Sequence, residues 1–298
     1  MSELKKQGIV FAILAYGLWG FLPMYFKVIE QVSPAEIVVH RVIWSFFFTL
    51  ALILMLRRWQ KVKDVFAQPK YLWRLVLSSA LVSGNWLLYI WAVNNDRILD
   101  GSLGYYINPI VNIILGMAFL QERLRPVQWF AVGLAVFGVA VELVAFGEIP
   151  WIALTLAVTF STYGLIRKQI PVDAQTGLFL ETAVLLSPAL VYLLFFVEST
   201  TGNLLANTWQ LNSLLLLAGP FTSVPLILFA AAAQRLNYST MGFFQYIAPS
   251  IMFGLAIGVY GETFTLQKGI TFLFIWAALA VFSLDALRWQ RQQPKFQS

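Results

Sequence analysis

Long, nearly uncharged apolar stretches recur along the whole chain of 298 residues. There are ten, each of about 20 residues, the length that an α-helix needs to cross the hydrocarbon core of a bilayer. The residues between them are few, and the stretches lack the polar–apolar alternation, over about 10 residues, of a membrane β-barrel. We therefore predict an all-α, multi-pass membrane protein. The stretches are Gly8–Val28, Glu36–Leu56, Leu72–Asn94, Gly101–Gln121, Val127–Phe146, Glu148–Ile166, Gly177–Val197, Leu211–Gln234, Ser239–Tyr260 and Gln267–Leu287.

The composition disfavours other classes of protein. Hydrophobic residues make up 59% of the chain and charged residues 11%, which is too little charge for the surface of a soluble domain or a nucleic-acid binder. The chain has no cysteine and one histidine, so disulfides, thiol catalysis and a multi-histidine metal site are excluded. We predict no cofactor, no metal site and no nucleic-acid partner; the lipid bilayer is the partner that surrounds the chain.

Basic residues mark one side of the membrane. If the N-terminus is cytoplasmic, 16 of the 20 Lys and Arg residues fall in cytoplasmic loops and tails, as the positive-inside rule requires. The densest group lies in the loop over residues 57–71. Arg97 and Lys268 fall on the outer side, and Lys27 and Arg41 lie within spans. We predict that both termini are cytoplasmic and that the number of spans is even.

The two halves of the chain match each other at an offset of 140 residues. Tyr106-Ile107-Asn108-Pro109 falls on Tyr246-Ile247-Ala248-Pro249, and Glu122 falls on Glu262. In both halves the glutamate ends a span 13 residues after the proline. An internal repeat explains this match, and a chance likeness between hydrophobic helices is the alternative.

Each half holds five spans, over residues 1–146 and 147–298. Because five is odd, the second half enters the membrane from the side opposite to the first, which is the inverted-repeat arrangement of many secondary transporters. Substrates of such proteins bind between the halves, near the bilayer midplane. We predict ten transmembrane helices arranged as two inverted five-helix repeats.

Two prolines at matching positions, Pro109 and Pro249, predict broken or kinked helices. Each proline lacks an N–H donor and frees a backbone carbonyl. In lipid such a group needs an internal partner or a water-filled cavity. A cavity role and a simple packing kink remain alternatives for both.

Three ionisable residues lie at membrane depth, where a charge costs about 3 kcal/mol or more. Arg41 either anchors an anionic group of the substrate, forms part of a gate, or extends to the interface. Its neighbour His40 either relays protons or makes a structural hydrogen bond. Glu181 lies near the opposite face and is either a coupling or an interface residue. We take His40, Arg41 and Glu181 as candidate gate and coupling residues.

Amide and aromatic side chains form the candidate substrate cavity. An amide inside the membrane needs a hydrogen-bond partner, and aromatic rings supply flat walls with a polar edge. Such a set suits a weakly polar or amphipathic organic solute. For each residue alone, contact with lipid or a neighbouring helix is the alternative. The candidates are Asn85, Tyr89, Tyr106, Asn108, Gln245 and Tyr246.

Several segments resemble a known family of bacterial membrane proteins. They are 15–20 (Ala-Tyr-Gly-Leu-Trp-Gly), 40–47 (His-Arg-Val-Ile-Trp-Ser-Phe-Phe), 84–94, which begins Gly-Asn-Trp-Leu-Leu-Tyr, 102–109 (Ser-Leu-Gly-Tyr-Tyr-Ile-Asn-Pro) and 242–249 (Gly-Phe-Phe-Gln-Tyr-Ile-Ala-Pro). Together they look like the RarD-type permeases of the EamA family, within the drug/metabolite transporter superfamily. The resemblance implies transport and a location in the bacterial inner membrane. It supplies neither a substrate nor functional residues.

We therefore expect a secondary transporter that moves a small organic solute or metabolite by alternating access, with protons as a candidate coupling ion. This chain has no P-loop, so transport draws on a gradient and not on ATP. It also lacks the nucleophile-elbow and zinc-protease motifs and any paired acidic metal cluster, so we predict no catalytic residues. A membrane channel, or a lipid-handling or sensor protein, is the alternative.

Overall fold

The computed structural model describes residues 3–95, 97–197, 201, 204–261 and 265–292. Within this part of the chain the regular structure is entirely helical, which confirms the predicted all-α class. The twelve helices are α1 (Glu3–Val28), α2 (Pro34–Met55), α3 (Trp59–Phe66), α4 (Pro69–Asn94), α5 (Ile98–Leu120), α6 (Pro126–Phe146), α7 (Trp151–Gln169), α8 (Ala174–Phe195), α9 (Trp209–Ala233), α10 (Tyr238–Gln245), α11 (Ile247–Gly258) and α12 (Leu266–Gln292).

Nine helical segments of the described chain are long and apolar enough to cross a membrane, with α10 and α11 counted as one. The remaining predicted span corresponds to α7, which is less apolar because it carries several hydroxyl and basic side chains. Helix α7 packs against α4, α5 and α9, and much of its surface is buried. A helix covered by its neighbours needs less apolar surface than one that faces lipid. The count of ten spans stays a prediction.

The main contacts between helices repeat between the two halves of the chain. They have counterparts in which the corresponding helices of the two halves change places. Helix α1 packs on α9 and on the α10–α11 span, just as α7 packs on α4 and α5. Helix α2 pairs with α8, and α6 pairs with α12. We call α1, α9 and α10–α11 the first triad, and α4, α5 and α7 the second triad. Each triad contains helices from both halves.

The two ends of the helix bundle carry different side chains. We call the end at which α1 begins the Lys6 end, and the end at which it finishes the Val28 end. The predicted loop 57–71 lies at the Lys6 end and contains the eight-residue helix α3. This helix forms because Val62 and Val65 are buried on one face while its charged residues stay exposed.

The start of α8 is fixed at the Lys6 end by Asp173. The Asp173 carboxylate caps the helix by accepting from the Thr176 backbone N–H at 3.2 Å, and it binds Arg58 at 2.8 Å and Lys61 at 3.4 Å. Burial acts to raise the pKa of Asp173, but the hydrogen bonds from Thr176 and the charges of Lys61 and Arg58 outweigh burial. The pKa of Asp173 therefore lies below its ordinary value.

The two matching prolines have different effects on their helices. The ninth predicted span divides at Tyr246 into α10 and α11, and Pro249 lies in the first turn of α11. Helix α5, in contrast, is continuous through Pro109, and a kink at that proline stays a prediction. Here α10 covers α5 closely: a Cβ added at Gly242 would lie 2.6 Å from the Pro109 carbonyl oxygen. Close neighbours of this kind let a membrane helix continue through a proline.

Helices α2 and α9 cross at Gly219. A Cβ added there would lie 2.5 Å from both the carbonyl carbon and the carbonyl oxygen of Trp44. The Ser45 hydroxyl donates to the Gly219 carbonyl at 3.2 Å, which ties the two backbones together. Membrane helices commonly use small residues where their backbones approach.

We expect the variant Gly219→Ala to lose about 1–3 kcal/mol of stability, because backbone atoms cannot move aside as a side-chain tip can. The matched control is Gly133→Ala in α6, where nothing lies within 4 Å of the added Cβ. Its midpoint of thermal unfolding should hold or rise, since alanine is the better helix former. Both variants are compared with the wild type in one detergent. Equal midpoints for the two variants would contradict the close crossing.

Candidate substrate-binding site

Arg41 lies half-buried in α2 and is held by side chains of α1, α4 and α9. Its Nε donates to the Thr222 hydroxyl at 2.9 Å. Its guanidinium carbon lies 4.5 Å from the ring centre of Trp86 and 5.8 Å from that of Phe26, which are cation–π distances. Arg41 therefore points inward, between helices of both halves.

Three tyrosines lie near the guanidinium: Tyr25, Tyr89 and Tyr105. The Tyr25 hydroxyl donates to the Leu214 carbonyl at 2.9 Å. The rings of Tyr89 and Tyr105 meet edge to face at 6.4 Å, and Tyr105 keeps 38% of its surface exposed. We call this group the Arg41 site; it consists of Tyr25, Phe26, Arg41, Trp86, Tyr89, Tyr105 and Thr222.

His40 adjoins Arg41 in sequence, but its ring faces along its own helix. Trp44 Nε1 donates to His40 Nδ1 at 3.2 Å, so the proton of the neutral imidazole is on Nε2. That nitrogen faces the Glu36 carboxylate at 3.8 Å, and Thr201 donates to the other carboxylate oxygen at 2.9 Å. Glu36 is a buried carboxylate that the sequence analysis treated only as the start of a span.

Glu181 belongs to a separate buried cluster near the Lys6 end, not to the interface. Ser78 donates to its carboxylate at 2.5 Å, Tyr163 donates at 3.5 Å, and Arg167 Nε lies 3.6 Å away. Arg167 is fully buried, although the sequence analysis assigned it to a cytoplasmic loop. Gly177 makes room for it, since a Cβ there would lie 1.9 Å from Arg167 Nη1. The cluster joins α4, α7 and α8.

The candidate amides of the second triad hold its helices together. Asn85 Nδ2 donates to the Leu156 carbonyl and to the Thr159 hydroxyl, both at 2.8 Å. The side-chain oxygen of Asn108 accepts a hydrogen bond from the Ser161 hydroxyl. These bonds tie α4 and α5 to α7, and each uses one polar atom of the amide: Nδ2 of Asn85 and Oδ1 of Asn108. Their predicted part in substrate binding stays a prediction.

The remaining cavity candidates lie where α5 meets α10 and α11. Gln245 is buried and accepts from Asn112 Nδ2 at 2.6 Å. The fully buried Tyr246 donates to the Tyr106 carbonyl at 3.3 Å, and the Tyr106 ring packs 5.7 Å from that of Phe272. Of the six cavity candidates, the structure brings only Tyr89 to the Arg41 site.

Five side chains of the Arg41 site were not among the candidates from the sequence: Tyr25, Phe26, Trp86, Tyr105 and Thr222. Trp86 was visible as an aromatic residue beside Asn85, one position along the same helix. Tyr105 was likewise visible beside Tyr106. Adjacent positions on a helix differ by about 100°, so each pair faces in two directions, and the sequence alone did not say which face points inward.

Comparison with known proteins gives the chain its family. The model of the EamA-like transporter family matches residues 6–143. A protein of Vibrio cholerae named as an uncharacterized transporter is 54% identical, over 95% of this chain and 94% of its own length. Protein RarD of Escherichia coli K12 is 51% identical, over 99% of both chains. The chain belongs to the EamA-like transporter family.

The family assignment agrees with the predicted resemblance to RarD-type proteins and makes the chain a multi-pass membrane protein. A solved crystal structure is similar to it with a TM-score of 0.74, covering 93% of this chain and 97% of that chain. The two sequences are 18% identical, so this likeness concerns the fold alone.

We expect Glu181→Gln to cost about 3–5 kcal/mol of stability, because it leaves the buried Arg167 without its counter-charge. The double variant Glu181→Gln/Arg167→Met removes both charges and should recover most of that loss. Thermal unfolding in one detergent measures all three proteins, with Glu3→Gln on the exposed start of α1 as the control. If Glu181→Gln is as stable as the wild type, the ion pair between Arg167 and Glu181 makes no net contribution to the free energy of unfolding.

Proposed function

We propose that this chain is a secondary transporter that moves a small organic solute across the bacterial inner membrane by alternating access. The observation that carries the proposal is the position of the Arg41 site. It lies between the two triads, with Trp86, Tyr89 and Tyr105 on one side and Tyr25, Phe26 and Thr222 on the other. Membership of a transporter family and the transporter names of relatives support it.

The packing of side chains between the Arg41 site and the Lys6 end supports a closed gate at that end. Tyr163 of α7 stacks on Phe229 of α9 with ring centres 6.1 Å apart, and both side chains are buried. The Tyr238 hydroxyl of α10 donates to the Ser161 carbonyl of α7 at 2.6 Å. The contrast with the partly exposed Tyr105 fits a carrier that is open toward the Val28 end and closed at the Lys6 end.

Contacts at helix ends close the same region. The Glu122 carboxylate, at the end of α5, accepts from the backbone N–H groups of Tyr238 and Ser239 at 2.6 and 2.8 Å, at the start of α10. The Lys168 ammonium of α7 donates to the Ala233 carbonyl, at the end of α9, at 2.8 Å. Both charges have the sign that suits their helix terminus. Glu262, the counterpart of Glu122, lies outside the described residues.

The proposal includes two inverted five-helix repeats over residues 1–146 and 147–298. The repetition of helix contacts between the two halves of the chain supports this division. The family match over residues 6–143 supports it too, because it ends inside α6, close to the proposed boundary. Protons remain the candidate coupling ion, with His40 and Glu181 as the titratable groups at membrane depth.

The absence of cysteine from the chain allows a direct test of topology. We expect a membrane-impermeant maleimide to label Glu148→Cys in intact spheroplasts, and Lys63→Cys only after permeabilisation. Both positions are exposed and lie at opposite ends of the bundle, so they report on opposite sides of the membrane. Labelling of Lys63→Cys in intact cells, with Glu148→Cys protected, would contradict cytoplasmic termini.

Alternating access is tested with a disulfide that holds the Lys6 end shut. A Cβ added at Gly116 would lie 3.0 Å from the Ser239 Oγ and 2.9 Å from the Glu122 Oε2, so a disulfide between Gly116→Cys and Ser239→Cys is within reach if the Glu122 side chain shifts. We expect the oxidised double variant in proteoliposomes to lose counterflow of labelled solute, and reduction to restore it. The single variant Ser239→Cys is the control and should be insensitive to oxidation.

The solute for this assay comes from a screen of anionic, neutral and cationic organic compounds with imposed gradients. Saturable counterflow favours a carrier, whereas uptake without counterflow favours a channel. If protons are coupled, a pH gradient should drive accumulation, and His40→Ala or Glu181→Gln should reduce it. Accumulation unaffected by all three changes would remove protons from the proposal and leave transport standing.

A further inference from the structure

We propose that the Arg41 site binds the carboxylate group of an organic anion with an apolar body. The inference rests on the proposed function, because it names the class of solute for the same site. Binding can nevertheless be measured without transport, so the two can fail separately.

Arg41 has no counter-charge among the described side chains. None of the described acidic side chains forms an ion pair with it. Of its five N–H donors, only the one on Nε has a hydrogen-bond acceptor within the described part of the chain, and this is the Thr222 hydroxyl. A cation at membrane depth without an acidic partner is costly, unless a ligand or water supplies the missing acceptors.

Arg167 provides the internal comparison. It too lies within a helix of the bundle, but Glu181 is 3.6 Å away and the Ala174 carbonyl accepts from its Nη2 at 3.3 Å. Thus the chain provides an acidic partner for the arginine that is sealed inside. The arginine at the partly exposed site is left with a hydroxyl and two rings.

The other polar groups near Arg41 are hydrogen-bond donors. Tyr89 and Tyr105 lie near the guanidinium with their rings packed edge to face, and neither hydroxyl has a hydrogen-bond partner within the described ranges. A phenol hydroxyl can donate to an anion as a guanidinium does. The site therefore offers several free donors and contains no acidic side chain, which favours an anion over a cation.

The guanidinium of Arg41 and the rings near it match the shape of a carboxylate with an apolar body. A guanidinium presents two parallel N–H donors that match the two oxygens of a carboxylate. The rings of Phe26 and Trp86 lie over it, and those of Tyr89 and Tyr105 pack against each other nearby, so an ion without an apolar part would leave these surfaces unused. A small ring-bearing carboxylate meets both requirements.

The experiment compares three carboxylates with their uncharged amides: benzoate, phenylacetate and cyclohexanecarboxylate. The purified full-length protein in lipid nanodiscs is titrated at pH 7.5, and binding is measured by calorimetry and by the rise in the unfolding midpoint. We expect at least one carboxylate to bind roughly 10- to 100-fold more tightly than its amide, the range for hydrogen bonds to a charged group. If no carboxylate exceeds its amide, the inference is overturned.

Variants then assign the preference to Arg41. Arg41→Gln should remove the preference for the carboxylate. Arg41→Lys should keep part of the preference because the positive charge remains, and lose part of it because lysine lacks the two parallel N–H donors of the guanidinium. Arg123→Gln, the same change at an exposed loop position, should bind like the wild type. If Arg41→Gln fails to fold, Tyr105→Phe removes one donor and keeps the ring, and it should weaken carboxylate binding severalfold. Binding that is unchanged in the folded variants overturns the inference.

Further measurements test the alternatives to this inference and distinguish binding from transport. Inorganic phosphate should compete poorly with the carboxylates. If it binds as tightly as the best carboxylate, the site recognises negative charge alone and the proposed class of organic anions is wrong. Arg41-dependent binding without counterflow would leave the inference standing and contradict transport. Counterflow of a neutral or cationic solute at an equal rate in Arg41→Gln would leave transport standing and overturn the inference.

Discussion

A charge inside a bilayer must meet an opposite charge, polar partners or water, and two arginines of this protein meet that requirement in different ways. Arg167 is sealed among α4, α7 and α8 and is compensated by Glu181. Arg41 is held by Thr222 and the Trp86 ring at a site that keeps contact with the exterior. The first arrangement joins helices of the bundle, and the second leaves donors of Arg41 for the ligand that we propose. The difference lies in the partners and not in the residue type.

Most of the fold follows from the sequence because backbone groups in lipid must be satisfied within the segment, which leaves helices as the natural structure for continuous apolar stretches. The details depend on neighbours. Pro109 and Pro249 have the same chemistry, yet the span is continuous at Pro109 and divided at Tyr246, shortly before Pro249. Helix α7 looks weakly apolar because other helices cover it. The sequence shows that a polar group or helix inside the membrane needs a neighbour, but it does not show which residue or helix that neighbour is.

The candidate site was less predictable, for the same reason. Arg41 stood out because a charge in an apolar stretch is visible without any structure. Asn85, Asn108 and Gln245 were equally visible as amides at membrane depth, but each uses one of its polar atoms in a hydrogen bond to a neighbouring helix. An amide that needs a partner can find it in the protein or in a ligand, and residue type does not distinguish the two. Only the rotation of each helix about its axis, which tertiary packing decides, separates Tyr105 from Tyr106.

The positions of the buried polar contacts indicate which surfaces can separate. The bonds of Asn85 and Asn108 join α4, α5 and α7 within the bundle, where breaking them is more costly than at a helix end, so on the proposed mechanism the second triad stays together. The contacts of Glu122 and Lys168 lie at helix ends beside the aqueous phase, so water can take over their hydrogen bonds at a net cost of about 1 kcal/mol each. Opening at the Lys6 end would therefore exchange protein contacts for hydration, and the energy gap between the two states can be small. The Arg41 site lies between the surfaces that would move, so a ligand that bridges them would bias the same equilibrium.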